Sequence, residues 1–155
     1  MTLTRNGILL LTSALLTVGY AQLSSGHEHA TGIVAERMKA MKNMGRELKA
    51  IADMLAGSPP FDPDVAEKPA TALHDVCHKI DLLFPAGSLN HVSHAKPAIW
   101  EDPEAFVAEV SRLHDASDAL LEAAKSQNKG ALIQSAHEVE RACNSCHQTF
   151  RQEKH

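Results

Sequence analysis

The sequence is poor in aromatic side chains, in strand-like alternation, in long apolar runs and in excess positive charge. Aromatics are 4% of 155 residues: one Trp, one Tyr and four Phe. Tyr20 falls in an N-terminal segment read below as removable, which leaves five for the domain. A core of this size normally leans on large flat side chains for bulk, so something else is expected to fill it. Lys and Arg number 15 against 19 Asp and Glu, a net charge of −4. That balance argues against nucleic acid, whose binders carry basic patches. The charges are interleaved, as on solvated helix surfaces. The longest apolar run, Ile8 to Val18, is too short to span a bilayer comfortably. Apolar residues at 44% and charged residues at 22% are nonetheless ordinary globular usage and exclude a disordered chain.

The start of the chain has the layout of a secretory signal peptide over residues 1–21. Arg5 supplies the positive charge, Ile8 to Val18 the apolar region, and Gly19-Tyr20-Ala21 the small residues at −3 and −1 of a cut. Export to an oxidising compartment follows, the periplasm in a Gram-negative host. Residues 22–32 read as a polar, flexible N-terminus, and His27 and His29 as part of that solvated tail.

Residues 33–155 show helical spacing in four segments, separated by Pro, Gly, Asn and Ser. The first runs from Ile33 to Leu55 with a stripe of Val34, Met41, Met44, Leu48, Ile51 or Ala52, and Leu55. The second starts between Asp62-Pro63 and Lys68-Pro69 and carries Leu73, Val76, Cys77, Ile80, Leu83 and Phe84, with Pro85 as its stop. Pro69 sits deep enough to separate or kink the first turn. A connection from Pro85 to Trp100 follows, and a structureless loop of that length is uncommon unless it has a function. The third opens at Asp102-Pro103, an N-cap and N1 pair. The fourth runs from Ala131 to Arg151, with Leu132, Ala136, Val139, Cys143, Cys146 and Phe150 at heptad spacing. Amphipathic segments in this order predict an all-α, antiparallel four-helix bundle.

Cys143-Asn144-Ser145-Cys146-His147 is a Cys-x-x-Cys-His run, the attachment signature of c-type haem. The two thiols become thioethers to the vinyl groups, and the imidazole reaches iron as proximal ligand. At about 100° per residue the three side chains share a 100° arc of one helix face. A thioredoxin-like dithiol would need a preceding strand and βαβ context. A zinc site would need a fourth ligand.

The sequence resembles the class II c-type cytochromes, the cytochrome c-prime family, over residues 33–152. The resemblance rests on Arg37-Met38-Lys39-Ala40-Met41, Gly57, Pro60-Phe61-Asp62, Leu83-Phe84-Pro85, the run from Ala95 to Trp100, and the attachment run ending in Phe150-Arg151. It implies a left-handed bundle with one covalent haem between the helices, a periplasmic location and often a homodimer. Family members divide between five-coordinate proteins whose apolar distal face admits NO or CO, and a low-spin subgroup with a distal Met that transfers electrons.

Met41 stands at the centre of the first helical stripe, and the family pattern, Arg37 plus four, places it on the distal side. A thioether there is expected as sixth iron ligand, which would raise the reduction potential; the competing reading is that it only packs. Met38 and Met44, about 60° to either side, are reserves. Arg37 falls within the apolar stripe and needs an anion, which a haem propionate would supply, unless it snorkels to water. His94 matches a position near the exposed haem edge, where it or Lys96 could meet a propionate. His91 reads as a surface residue and Trp100 as packing under the loop. Cys77 reads as a buried free thiol, with an intermolecular disulfide as the alternative. His74 and His78 have zinc-compatible spacing but no apparent third ligand, and His137 is set aside as beside the fourth stripe. The function expected is a periplasmic mono-haem electron carrier, not an enzyme, serving transient redox partners. The alternative is a gas-binding module for NO or CO.

Overall fold

The structure, a computed structural model, describes residues 30–153. The signal peptide expected over 1–21 lies outside them, as does most of the 22–32 tail with His27 and His29. Four long helices are present: α1 (Gly32–Leu55), α2 (Pro63–Cys77), α4 (Pro103–Lys125) and α5 (Lys129–Phe150), with a single-turn α3 (Ala98–Glu101) ahead of α4. They form the expected antiparallel bundle. α1 packs on α2, α2 on α4 and α4 on α5, whereas α1 touches α5 only sparsely. No helix of the described residues is long and apolar enough to cross a membrane.

Local chemistry explains most boundaries. Asp62 caps α2 by accepting from the Asp64 N–H at 3.0 Å, and Asp102 caps α4 by accepting from Ala105 N–H at 3.1 Å. Asn128 accepts from Ala131 N–H at 3.0 Å, which starts α5 two residues before the expected Ala131. Pro69 does not separate the first turn of α2, which continues through it as one helix.

The second helix is shorter than its stripe suggests, because the chain leaves α2 after Cys77. Bonds from Lys79 N–H to Val76 O and from Ile80 N–H to Cys77 O tighten the end, and a 3₁₀ turn over Asp81–Leu83 follows. Pro85 has no N–H to continue a helix and disfavours helical geometry at Phe84, which sits at φ −123°. Ile80 is buried despite leaving the helix.

The bundle has two unlike ends. Ile51, Leu73, Leu120, Leu132 and Val139, almost inaccessible to solvent, close-pack one end. The other, built from the middle of α1, the first half of α4 and the last turns of α5, contains a cavity. Three of the few aromatics gather there: Phe106 meets Phe84 at 5.0 Å and Phe150 at 5.5 Å, both edge-on.

Candidate haem-binding site

The last turns of α5 present Cys143, Cys146 and His147 to a cavity of about 250 Å³. Its opposite walls are Met41, Met44 and Leu48 of α1 and Val110 and Leu113 of α4. A second cavity of about 400 Å³ opens beside it and shares Met41, Phe84 and His147 with the first; Arg37, Lys42, His94 and Arg151 are also in its lining. The two adjoining cavities make a slot, largely apolar inside except for Glu109 and Glu140 and basic at its mouth. It lies between α1 and α5, the pair of long neighbouring helices that touches least.

The electrostatics of the three α5 residues are distinctive. Burial raises the Cys143 thiol above its ordinary value, outweighing a backbone hydrogen bond. Burial pushes the Cys146 thiol up to about 11, with the negative charge of Glu109 adding to it. A redox dithiol needs a depressed thiol pKa, so these neutral, half-buried thiols do not suit that chemistry. Burial, reinforced by the Arg151 charge, lowers the His147 imidazole, which keeps it neutral as a metal ligand must be.

Met41 is half-buried and lines both cavities, where the stripe of the first helix put it. Each reserve candidate lines only one of the two cavities, Met44 the first and Met38 the second. Met38 is 46% exposed, and Met44 is buried with its Sδ 3.5 Å from Cys77 Sγ. Arg37 is only 5% exposed, so it does not snorkel. Its Nε donates to Leu83 O at 2.9 Å, and its terminal nitrogens donate to Ser93 Oγ at 3.0 Å and Ser88 Oγ at 2.6 Å. Its guanidinium lies 4.2 Å over the Phe84 ring. All these partners are neutral, so a buried positive charge stands at the mouth of the slot.

The connection after Pro85 docks on the end of α5, which accounts for its length. Lys96 N–H donates to Phe150 O and Gln152 N–H donates to His94 O, both at 2.8 Å. This pairing brings His94 to the slot. Lys96 Nζ instead donates to Gln148 O at 2.9 Å. Trp100 Nε1 donates to Phe84 O at 3.1 Å, fastening the loop from within as expected. His137 lies on the surface with Glu140 at 3.7 Å, away from the slot. Cys77 is a free thiol with no exposure, which rules out an intermolecular disulfide without opening the bundle.

Two residues are absent from the expectations drawn from the sequence. Glu109 is buried on the cavity wall, its Oε1 held by Arg112 and by Ser145 Oγ at 3.1 Å. Its Oε2 is buried and has no partner among the described residues. Glu109 follows Phe106 by three, on the inward face, and that spacing is the signal that could have found it. The other is Asp118 of α4, which meets His74 of α2 and His78, the residue that caps its C-terminal end.

The donor set fits a haem: two thiols and an imidazole on one face, a thioether across, apolar walls, and a basic mouth suited to carboxylates. Fold and site together define a haem c protein built on a four-helix bundle. The family described as Cytochrome C' matches residues 32–151. Cytochrome c' of Rhodopseudomonas palustris is 36% identical over 143 residues, covering 88% of this chain and 93% of the relative. Cytochrome c-556 of Agrobacterium fabrum is 31% identical, covering 93% and 95%. A nitric oxide complex of a cytochrome c prime variant from Alcaligenes xylosoxidans superposes with a TM-score of 0.75 at 22% identity, over 79% of this chain and 94% of that one. The chain belongs to the cytochrome c' family and carries haem c, one per chain.

Proposed function

We propose that the protein is an exported, periplasmic haem protein whose distal face, shaped by Met41, takes up a small uncharged gas such as NO or CO. The carrying observation is the apolar wall across from α5, made of Met41, Met44, Leu48, Val110 and Leu113. Thioethers and hydrocarbons offer no N–H or O–H donor, so an anion gains nothing there while a neutral diatomic does. The likeness to proteins named cytochrome c', one of them solved with nitric oxide, supports the same reading. When bound, haem supplies an iron that changes by one electron or takes a gas at an open position. Cys143 and Cys146 would hold it covalently, and His147 would ligate iron from the proximal side. Arg37 would neutralise a propionate at the mouth, where its charge has only neutral partners, with His94 at the same edge.

A second reading, electron transfer with Met41 as sixth ligand, is favoured by one observation. Met41 is the α1 side chain that shares both cavities with His147. The basic mouth with Lys42 and Arg151 would then receive a redox partner. A homodimer through α1 and α2 is the family expectation, and sedimentation velocity measures it.

Absorption spectra separate the readings. A broad high-spin Soret band that moves with CO supports gas binding. A sharp reduced α band, indifferent to CO and converted to high spin by Met41→Leu, overturns it in favour of electron transfer. Absence of a Soret band after expression with haem-attachment machinery would refute both.

A further inference from the structure

Outside the haem slot, α2 and α4 bring a second set of metal-ligating side chains together. His74 and His78, one turn apart at the end of α2, both face Asp118 of α4. Asp118 Oδ1 lies 3.0 Å from His74 Nε2 and 2.8 Å from His78 Nε2. One donor atom from each of the three residues falls within 4.8 Å of the others. The side chains are 26%, 36% and 53% exposed, so the group is open to solvent.

We propose that His74, His78 and Asp118 form a surface site for a divalent transition-metal ion of the zinc class, clamping α2 to α4. Two imidazoles and a carboxylate suit Zn²⁺, Ni²⁺ or Cu²⁺, whereas Ca²⁺ and Mg²⁺ want an all-oxygen shell. Tetrahedral Zn²⁺ with N and O ligands at about 2.0–2.2 Å sets donors roughly 3.3 Å apart. The observed 2.8 and 3.0 Å need to widen by only a fraction of an ångström. Three protein ligands leave a fourth position for water.

The rings are held from behind. His74 Nδ1 lies 3.4 Å from Asp75 Oδ1, which turns Nε2 toward the site as an outer-shell carboxylate does. The His78 ring stacks on His114 at 4.4 Å and 16°, and His114 is itself fixed by a 3.0 Å hydrogen bond between Nε2 and Cys77 O. This backing distinguishes the cluster from two histidines that happen to share a helix face.

The test is calorimetric titration of the haem-loaded protein with ZnCl₂. His27→Gln and His29→Gln are introduced first, so that the N-terminal tail does not compete. One Zn²⁺ per chain is expected, with at least about tenfold weaker binding in His78→Gln and in Asp118→Asn, since even outer-shell losses cost about 10- to 100-fold. An unchanged haem spectrum in each variant certifies the fold. The thermal midpoint should rise with Zn²⁺ in the parent and rise clearly less at the same Zn²⁺ concentration in Asp118→Asn. No binding by the parent, or binding that all variants retain, overturns the proposal.

Discussion

Replacing Arg37 by Met tests whether a single buried cation holds the haem-edge loop to α1. Met keeps an apolar stem over Phe84 and removes three hydrogen bonds, to Leu83 O, Ser88 Oγ and Ser93 Oγ. A hydrogen bond from a charged donor is worth about 1.5–3 kcal/mol. Three such bonds do not add fully, because the variant also escapes the desolvation of a buried guanidinium and the serine hydroxyls can rotate to water. A net loss of about 2–4 kcal/mol remains. Ser93 carries the effect outward, since its Oγ also accepts the Ala95 N–H at 3.2 Å, next to the pairing with α5. Urea unfolding of the haem-loaded protein should show the loss at unchanged m-value, and amide exchange should accelerate at residues 88–95. Arg37→Lys should recover less than half, because an ammonium cannot reproduce the planar fork. A loss below about 0.5 kcal/mol with unaltered loop exchange would refute this account, since that is the range of an inert surface change.

Other perturbations give equally definite outcomes. Leu120→Ala, at the close-packed end, should cost about 2.7–5 kcal/mol in urea unfolding and leave the haem spectrum unchanged. Burial foremost, with the Asp118 charge adding, pushes the Cys77 thiol up to about 12 from an ordinary 9.0. A raised folded value means that the neutral thiol stabilises the fold below pH 9 and that this contribution is lost as pH rises toward 12. With EDTA present, the alkaline fall in urea midpoint over that window should flatten in Cys77→Ala. Native protein should not react with iodoacetamide at Cys77 at neutral pH, and mass spectrometry reads this directly. Haem should survive denaturing extraction from Cys143→Ala or Cys146→Ala, each keeping one thioether, and be extracted from the double variant.

Elements that depend on short-range chemistry were legible in the sequence. The Cys143-Cys146-His147 run, the Asp102 cap and the stripes of the first and fourth helical segments are local patterns, and the structure has each on a helix. Met41 was legible because its position on α1 follows from helical rotation alone. The end of the second helix differs from expectation because an apolar stripe reports burial, and Ile80 is buried by a turn as well as by a helix. Partners across the bundle were not legible. Nothing near His74 announces Asp118, and nothing near Arg37 announces Ser88 and Ser93. Those contacts arise from the docking of a loop and of α2 on α4, a property of the assembled fold.

The sparse contact between α1 and α5 falls where the haem is proposed to lie, so the cofactor itself would join those two helices. α1 has one firm neighbour, α2, whereas α4 is gripped on both sides. α1 would then take its second packing surface from the haem, and amide protection around Met41 should fall first when haem is not attached. Attaching the cofactor would therefore complete the fold as well as the site, with the far end of the bundle holding on its own side chains and the near end on the haem.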